Sequence, residues 1–249
     1  MFMSVIARCA ESVVAPEITG SRVLISGLTS QTGFDIARAF ADHGARLVVQ
    51  SPDDSTEMTE LAAVLAENSV DLRLFNDPLA NDSDARSLIQ AAVQDFGGLD
   101  MAVNLVSVDA EALDALDSFE DVEALAAQTL LMPLRLTEVA ANRMRLVWTD
   151  GAILNVIKIG ETRSGGATMF ADVLHAMLAD MTRGLAEQWA EAGIRINAIG
   201  PPSSVAAMGG ARQATDADIA TIAVELASEH ARSVSGYVLD AEGLARHWC

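Results

Sequence analysis

The sequence predicts one doubly wound α/β domain, with a seven-stranded, mostly parallel sheet and helices on both faces. Three observations lead there. Short β-branched runs alternate with longer helical periodicities along the chain, the pattern of right-handed βαβ crossovers. A length of 249 residues suits one domain with a sizeable core. The turn after the first apolar run carries glycines where such sheets receive a phosphate.

The elements follow in order. Residues 1–20 are read as an extension ahead of the first strand, and 21–249 as the domain. Arg8 and Glu11 interrupt the apolar patch of that extension, which argues against a signal peptide. RVLISG (22–27) reads as a strand, and 32–44 as a helix closed by glycine. A second strand covers 45–50, a helix 58–68 and a third strand 70–75. After these come a helix over 83–98, a strand over 99–107 and a long helix over about 119–147. GAILNVI (151–157) is the fifth strand, 167–192 a second long helix and IRINAI (194–199) the sixth strand. A helix over 216–228 and a strand over 235–240 complete the pattern.

Charge excludes several functions. Sixteen basic against 35 acidic residues give a net charge of −19, which repels nucleic acid and anionic lipid. No apolar run reaches the roughly 18 residues that a spanning helix needs. The two cysteines, Cys9 and Cys249, make neither a metal-ligand spacing nor a disulfide framework. No metal is expected, and a reducing cytoplasm fits this usage.

The first strand-to-helix turn reads Ser26-Gly27-Leu28-Thr29-Ser30-Gln31-Thr32-Gly33. Glycines in such a turn let the backbone approach a pyrophosphate at a helix N-terminus. Gln31 could fill space that a phosphate needs, or donate a hydrogen bond to it. At the end of the second strand an acid would hold a ribose and a base would accept a 2′-phosphate. Gln50, Ser51 and Pro52 offer neither, and Asp53 and Asp54 after Pro52 read as the start of a helix.

The turn resembles the TGxxxGxG motif of the short-chain dehydrogenase/reductase family, with Gln31 in place of its middle glycine. Four further segments carry the resemblance, which spans residues 20–244. Asn76-Asp77-Pro78 is similar to the family's Asp-Val pair after strand three, whose acid contacts adenine. Val103-Asn104-Leu105-Val106-Ser107 resembles VNNAG, and residues 193–201 resemble GIRVNAVAP. Ser235 to Gly243 resembles the closing TGQxLxVDGG. The resemblance implies a Rossmann-type fold and a cofactor site at Gly27, Ser30, Gln31, Gly33, Asp77 and Asn104. The departures weaken that site. Val106 and Ser107 replace a small pair, Pro202 replaces a glycine, and Ala206 stands where the family often has a threonine. No cofactor, or only weakly held NAD(P), is expected.

The family transfers hydride with an Asn, Ser, Tyr and Lys set. Matching Gly151 to Asn155 and Gly193 to Asn197 puts Lys158 at the serine, Ala171 at the tyrosine and His175 at the lysine. Thr129 falls at the asparagine. The chain has one tyrosine, Tyr237, and one lysine, Lys158, in the wrong order, so a Tyr-x-x-x-Lys pair cannot exist. A positioned proton donor is worth about 10²–10⁴ in rate. Its loss predicts a non-catalytic member. Lys158 and His175, with Asp172 nearby, could instead form a rebuilt acid/base pair, or a lysine reaching water and a packed histidine. Met169, Met177 and Met181 read as packing. The segment over about 202–216 is short for a substrate lid. The Ala-, Leu- and Met-rich long helices imply an oligomer, with itself or with an active paralogue. The alternatives are a divergent NAD(P)-dependent oxidoreductase and a small-ligand sensor.

Overall fold

The computed structural model describes residues 18–161, 164–203 and 213–239. Outside them lie most of the N-terminal extension, both cysteines, Ala206 with the middle of the expected lid, and Gly243. Seven strands form the sheet: β1 (Arg22–Ser26), β2 (Arg46–Gln50), β3 (Asp71–Phe75), β4 (Met101–Val108), β5 (Ala152–Ile159), β6 (Arg195–Ile199) and β7 (Val238–Leu239). Their order is β3-β2-β1-β4-β5-β6-β7, and each neighbouring pair is parallel. The chain runs outward from β1 to β3, then returns to β4 and runs outward the other way. The crevice beyond the C-terminal ends of β1 and β4 is therefore the topological switch point, where ligands of such sheets bind.

The helices are α1 (Phe34–Asp42), α2 (Thr56–Asn68), α3 (Asp82–Phe96), α4 (Ala110–Asp114), α5 (Phe119–Leu146), α6 (Gly165–Trp189) and α7 (Asp216–Ala227). Two apolar faces explain how they are layered. Ile36 and Phe40 of α1 and Ile219 and Ile222 of α7 share one core with Ile25, Leu47 and Leu154 of the sheet. On the other side Ile89 of α3 and Leu136 and Met144 of α5 pack on Leu24 and Ile153. Phe170, Leu174 and Leu178 of α6 extend that layer over Ile157 and Ala198. Met177 and Met181 pack at its margin, as their spacing predicts.

Capping sets several boundaries. Ser55, not Asp53 or Asp54, caps α2, and its hydroxyl accepts from the Met58 N–H. The expected start at Asp53 is therefore corrected, because that carboxylate is bonded elsewhere. Gly97 ends α3 in a left-handed conformation. Helix α4 was not expected. The last strand keeps only Val238–Leu239 of 235–240 among the described residues.

A buried polar knot fixes the centre of the sheet. Asn104 on β4 accepts from the Ser26 hydroxyl (3.1 Å) and donates to Asn155 on β5 (2.8 Å). Thr137 of α5 also donates to Asn155 (3.1 Å). All four residues are buried, and such groups hold position because leaving one unpaired is costly.

At the opposite end of the strands, Arg22 makes a forked pair with Asp100 through Nε (2.8 Å) and Nη2 (2.5 Å). Burial would raise the Asp100 carboxyl, but the hydrogen bonds and charge of Arg22 outweigh it and hold the group below its ordinary value. A carboxyl depressed in the fold contributes stability above its unfolded pKa of about 3.9, and this is lost as pH falls through the folded value. Asp100→Asn should therefore lower stability at neutral pH and flatten the loss of stability below about pH 4. Denaturant titrations across pH would read this. An acid limb unchanged in the variant would assign the acid sensitivity to other carboxylates.

Candidate functional site

The turn from β1 into α1 lies in the crevice. Gly27 and Gly33 both have positive φ, +76° and +94°. A Cβ on Gly27 would overlap the Leu105 carbonyl oxygen, and one on Gly33 would overlap the Leu105 side chain. Both glycines are therefore required by the close passage of β4, whatever the turn binds. Thr29 and Thr32 bond each other across the turn, N–H to carbonyl in both directions (3.0 and 3.2 Å).

Four further N–H groups of the turn bond the chain itself. The Gly27 N–H donates to Gln50 Oε1 (2.8 Å), and the Leu28 N–H to the Gln50 carbonyl (3.1 Å). The Ser30 N–H donates to Asp53 Oδ2 (2.8 Å). The Gly33 N–H, at the N-terminus of α1, donates to Asp216 Oδ2 (3.0 Å). The other Asp216 oxygen receives Lys158 Nζ at 2.5 Å. One carboxylate thus joins α7, α1 and β5. Gln213 adds a second clasp, with its amide bonding both the N–H and the carbonyl of Ile159 (2.9 Å each).

Two more contacts cross the crevice. Gln50 is buried, and its Nε2 donates to the Asp77 carbonyl (2.9 Å), bridging the glycine turn and the loop after β3. Ser107 donates to the Thr32 hydroxyl at 3.3 Å. The bond from the Ser30 N–H, with those from Ser55, holds the Asp53 carboxyl far below the usual carboxylate range, so it is ionised at any physiological pH.

The profile of the enoyl-(acyl carrier protein) reductase family matches residues 27–212, three quarters of the chain. The chain belongs to the short-chain dehydrogenase/reductase family. It is 31% identical to an uncharacterized oxidoreductase of Mycobacterium bovis, covering 92% of this chain and 98% of that one. It is 29% identical to momilactone A synthase of Oryza sativa, covering 93% and 92%. A short-chain type dehydrogenase/reductase from Mycobacterium marinum shares its fold, with a TM-score of 0.70 at 20% identity, covering 90% and 94%.

The positions matched to the family's catalytic set lie on α5, α6 and β5. Ala171 is a buried methyl on α6. The Thr129 hydroxyl donates to the Leu125 carbonyl one turn back in α5 (2.7 Å). His175 is half-buried, with Nδ1 3.2 Å from the Pro201 carbonyl oxygen. It lines a groove of about 610 Å³ between α6 and β7 that also takes in Arg183, Ser235 and Tyr237. Lys158 bonds Asp216, and His175 meets the Pro201 carbonyl.

The cofactor positions divide in the same way. Gly27, Ser30 and Gly33 line the crevice, with their N–H groups already bonded. Gln31 is exposed. Asn104 is a correction: its side chain belongs to the knot inside the sheet and presents nothing to the crevice. Asp77 is exposed, and only its carbonyl meets the site, through Gln50. Pro202 and Val106 are half-buried, and Val106 packs with the core under α5 and α6. The family implies a nicotinamide dinucleotide, and the residues present do not fit one. Carboxylates already take the N–H groups of Ser30 and Gly33, and the Gln50 amide ties the turn to the loop after β3.

Asp53, Asp216, Gln50 and Gln213 were missed as site residues. Asp216 marked only the start of a helix in the sequence, and its partner Gly33 lies 183 residues away. As a test of the packing, Gly27→Ala should destabilise the fold by about 2 kcal/mol or more, through positive φ and the clash with β4. Urea denaturation would measure it, and a loss within about 0.5 kcal/mol would mean that the turn can move off β4.

Proposed function

We propose that this chain is a non-catalytic short-chain dehydrogenase/reductase whose role is as a subunit, assembled with itself or with an active paralogue. The observation that carries this reading is the state of the proton-relay positions. A methyl stands at Ala171, and the lone ammonium, Lys158, is engaged by Asp216. Without a donor at the carbonyl oxygen, hydride delivery would leave an alkoxide unprotonated, a loss of about 10²–10⁴ in rate for the donor alone.

The scaffold supports a structural role. The sheet, the polar knot and both long helices are intact, while the departures fall on chemistry. Leu131 on α5 and Met169 on α6 present exposed apolar side chains, 44% and 37% accessible. Burying such faces against a partner is favourable in proportion to apolar area.

Purified protein should show no oxidation or reduction across a panel of alcohols and ketones with NADH, NADPH or their oxidised forms. Light scattering should give a dimer or larger assembly, alone or after mixing with an intact paralogue. Turnover at ordinary enzymatic rates would overturn the non-catalytic reading in favour of a divergent oxidoreductase. A strictly monomeric chain that binds no relative would overturn the subunit role.

A further inference from the structure

We propose that Asp53 and Asp216 stand in for a bound diphosphate, masking an anion site that is otherwise formed in the glycine turn. The inference deepens the non-catalytic reading, since it names what the vestigial cofactor site holds in place of cofactor.

The chemistry of the contacts carries it. Carboxylate and phosphoryl oxygens are the same class of acceptor for a backbone N–H, and a helix N-terminus favours either anion. The N–H groups of Ser30 and Gly33 point into the crevice, and each meets a carboxylate oxygen, at 2.8 and 3.0 Å. The two acids arrive from different parts of the chain. Asp53 comes from the loop after β2 and Asp216 from the first turn of α7. Their meeting on one turn is not a product of local sequence.

Charge explains why a diphosphate would be refused. The two carboxylates and the Lys158 ammonium give this spot a net charge of −1, so an added dianion would face repulsion as well as lost donors. Gln31 is exposed and leaves the turn open on its own side. The block is therefore electrostatic at the centre and can be removed by changing two atoms. In Asp53→Asn with Asp216→Asn, each amide oxygen can still accept the turn's N–H, while the local charge becomes +1 and Lys158 is released to face an anion.

Isothermal titration calorimetry of inorganic pyrophosphate and of ADP-ribose into the full chain tests this. The wild type should give no binding at millimolar ligand. The double variant should bind pyrophosphate at least about tenfold more tightly than the wild type, a change of about 1.4 kcal/mol. Adding Lys158→Met should remove the gain. Near-UV circular dichroism would check that each variant is folded. If the double variant is not, Asp53→Asn alone, which leaves the Lys158–Asp216 pair in place, should show part of the gain. Sub-millimolar binding by the wild type would overturn the mask, as would folded variants that bind nothing. Neither result bears on turnover, so the non-catalytic reading stands or falls separately.

Discussion

The carboxylate of Asp216 is shared between an ammonium and a backbone N–H, and the architecture around the crevice depends on that sharing. It reaches from the start of α7 to Lys158 at the end of β5 and to Gly33 at the start of α1. An ion pair in a partly buried place is sustained only when both charges keep good partners. Here the side chains are 21% and 18% exposed, and the peptide N–H of Gly33 supplies a further bond to the acid. The sheet's C-terminal edge, where members of the family carry out chemistry, is closed by a structural contact.

The fold was legible because periodicity is local. The continuous apolar runs in RVLISG and RLVVQ, the glycine that closes 32–44 and the helical spacing over 119–147 each report on a few neighbours. The structure reproduces them within a few residues. Boundaries moved where a hydrogen bond decided them, as at Ser55. Helix α4 was missed because its five residues are too few to show a period. Among the described residues, Val238 and Leu239 are those of the last strand that pair with β6.

The site was legible only in what it lacks. One tyrosine and one lysine in the wrong order can be read from the sequence alone, so the lack of a Tyr-x-x-x-Lys pair was evident. What replaced it was not. Gln50 drew notice only for being uncharged, yet its amide spans the crevice. Asp53 read as a helix start and turned out to bond the glycine turn. These pairings join residues between 23 and 183 positions apart, and no spacing rule marks them. Asn104 shows the reverse error. Its place in a family motif suggested the cofactor, whereas its amide bonds the neighbouring strands.

A carboxylate tethered to the polypeptide is always at hand, at a concentration that metabolism cannot alter. Enzymes that take up a diffusible nucleotide gain folding free energy as its level rises, so their abundance and assembly follow the nutritional state of the cell. On the proposed subunit reading, a chain that carries its own anion is free of that linkage. Its persistence, and that of any complex built on it, would be the same in starvation and in plenty.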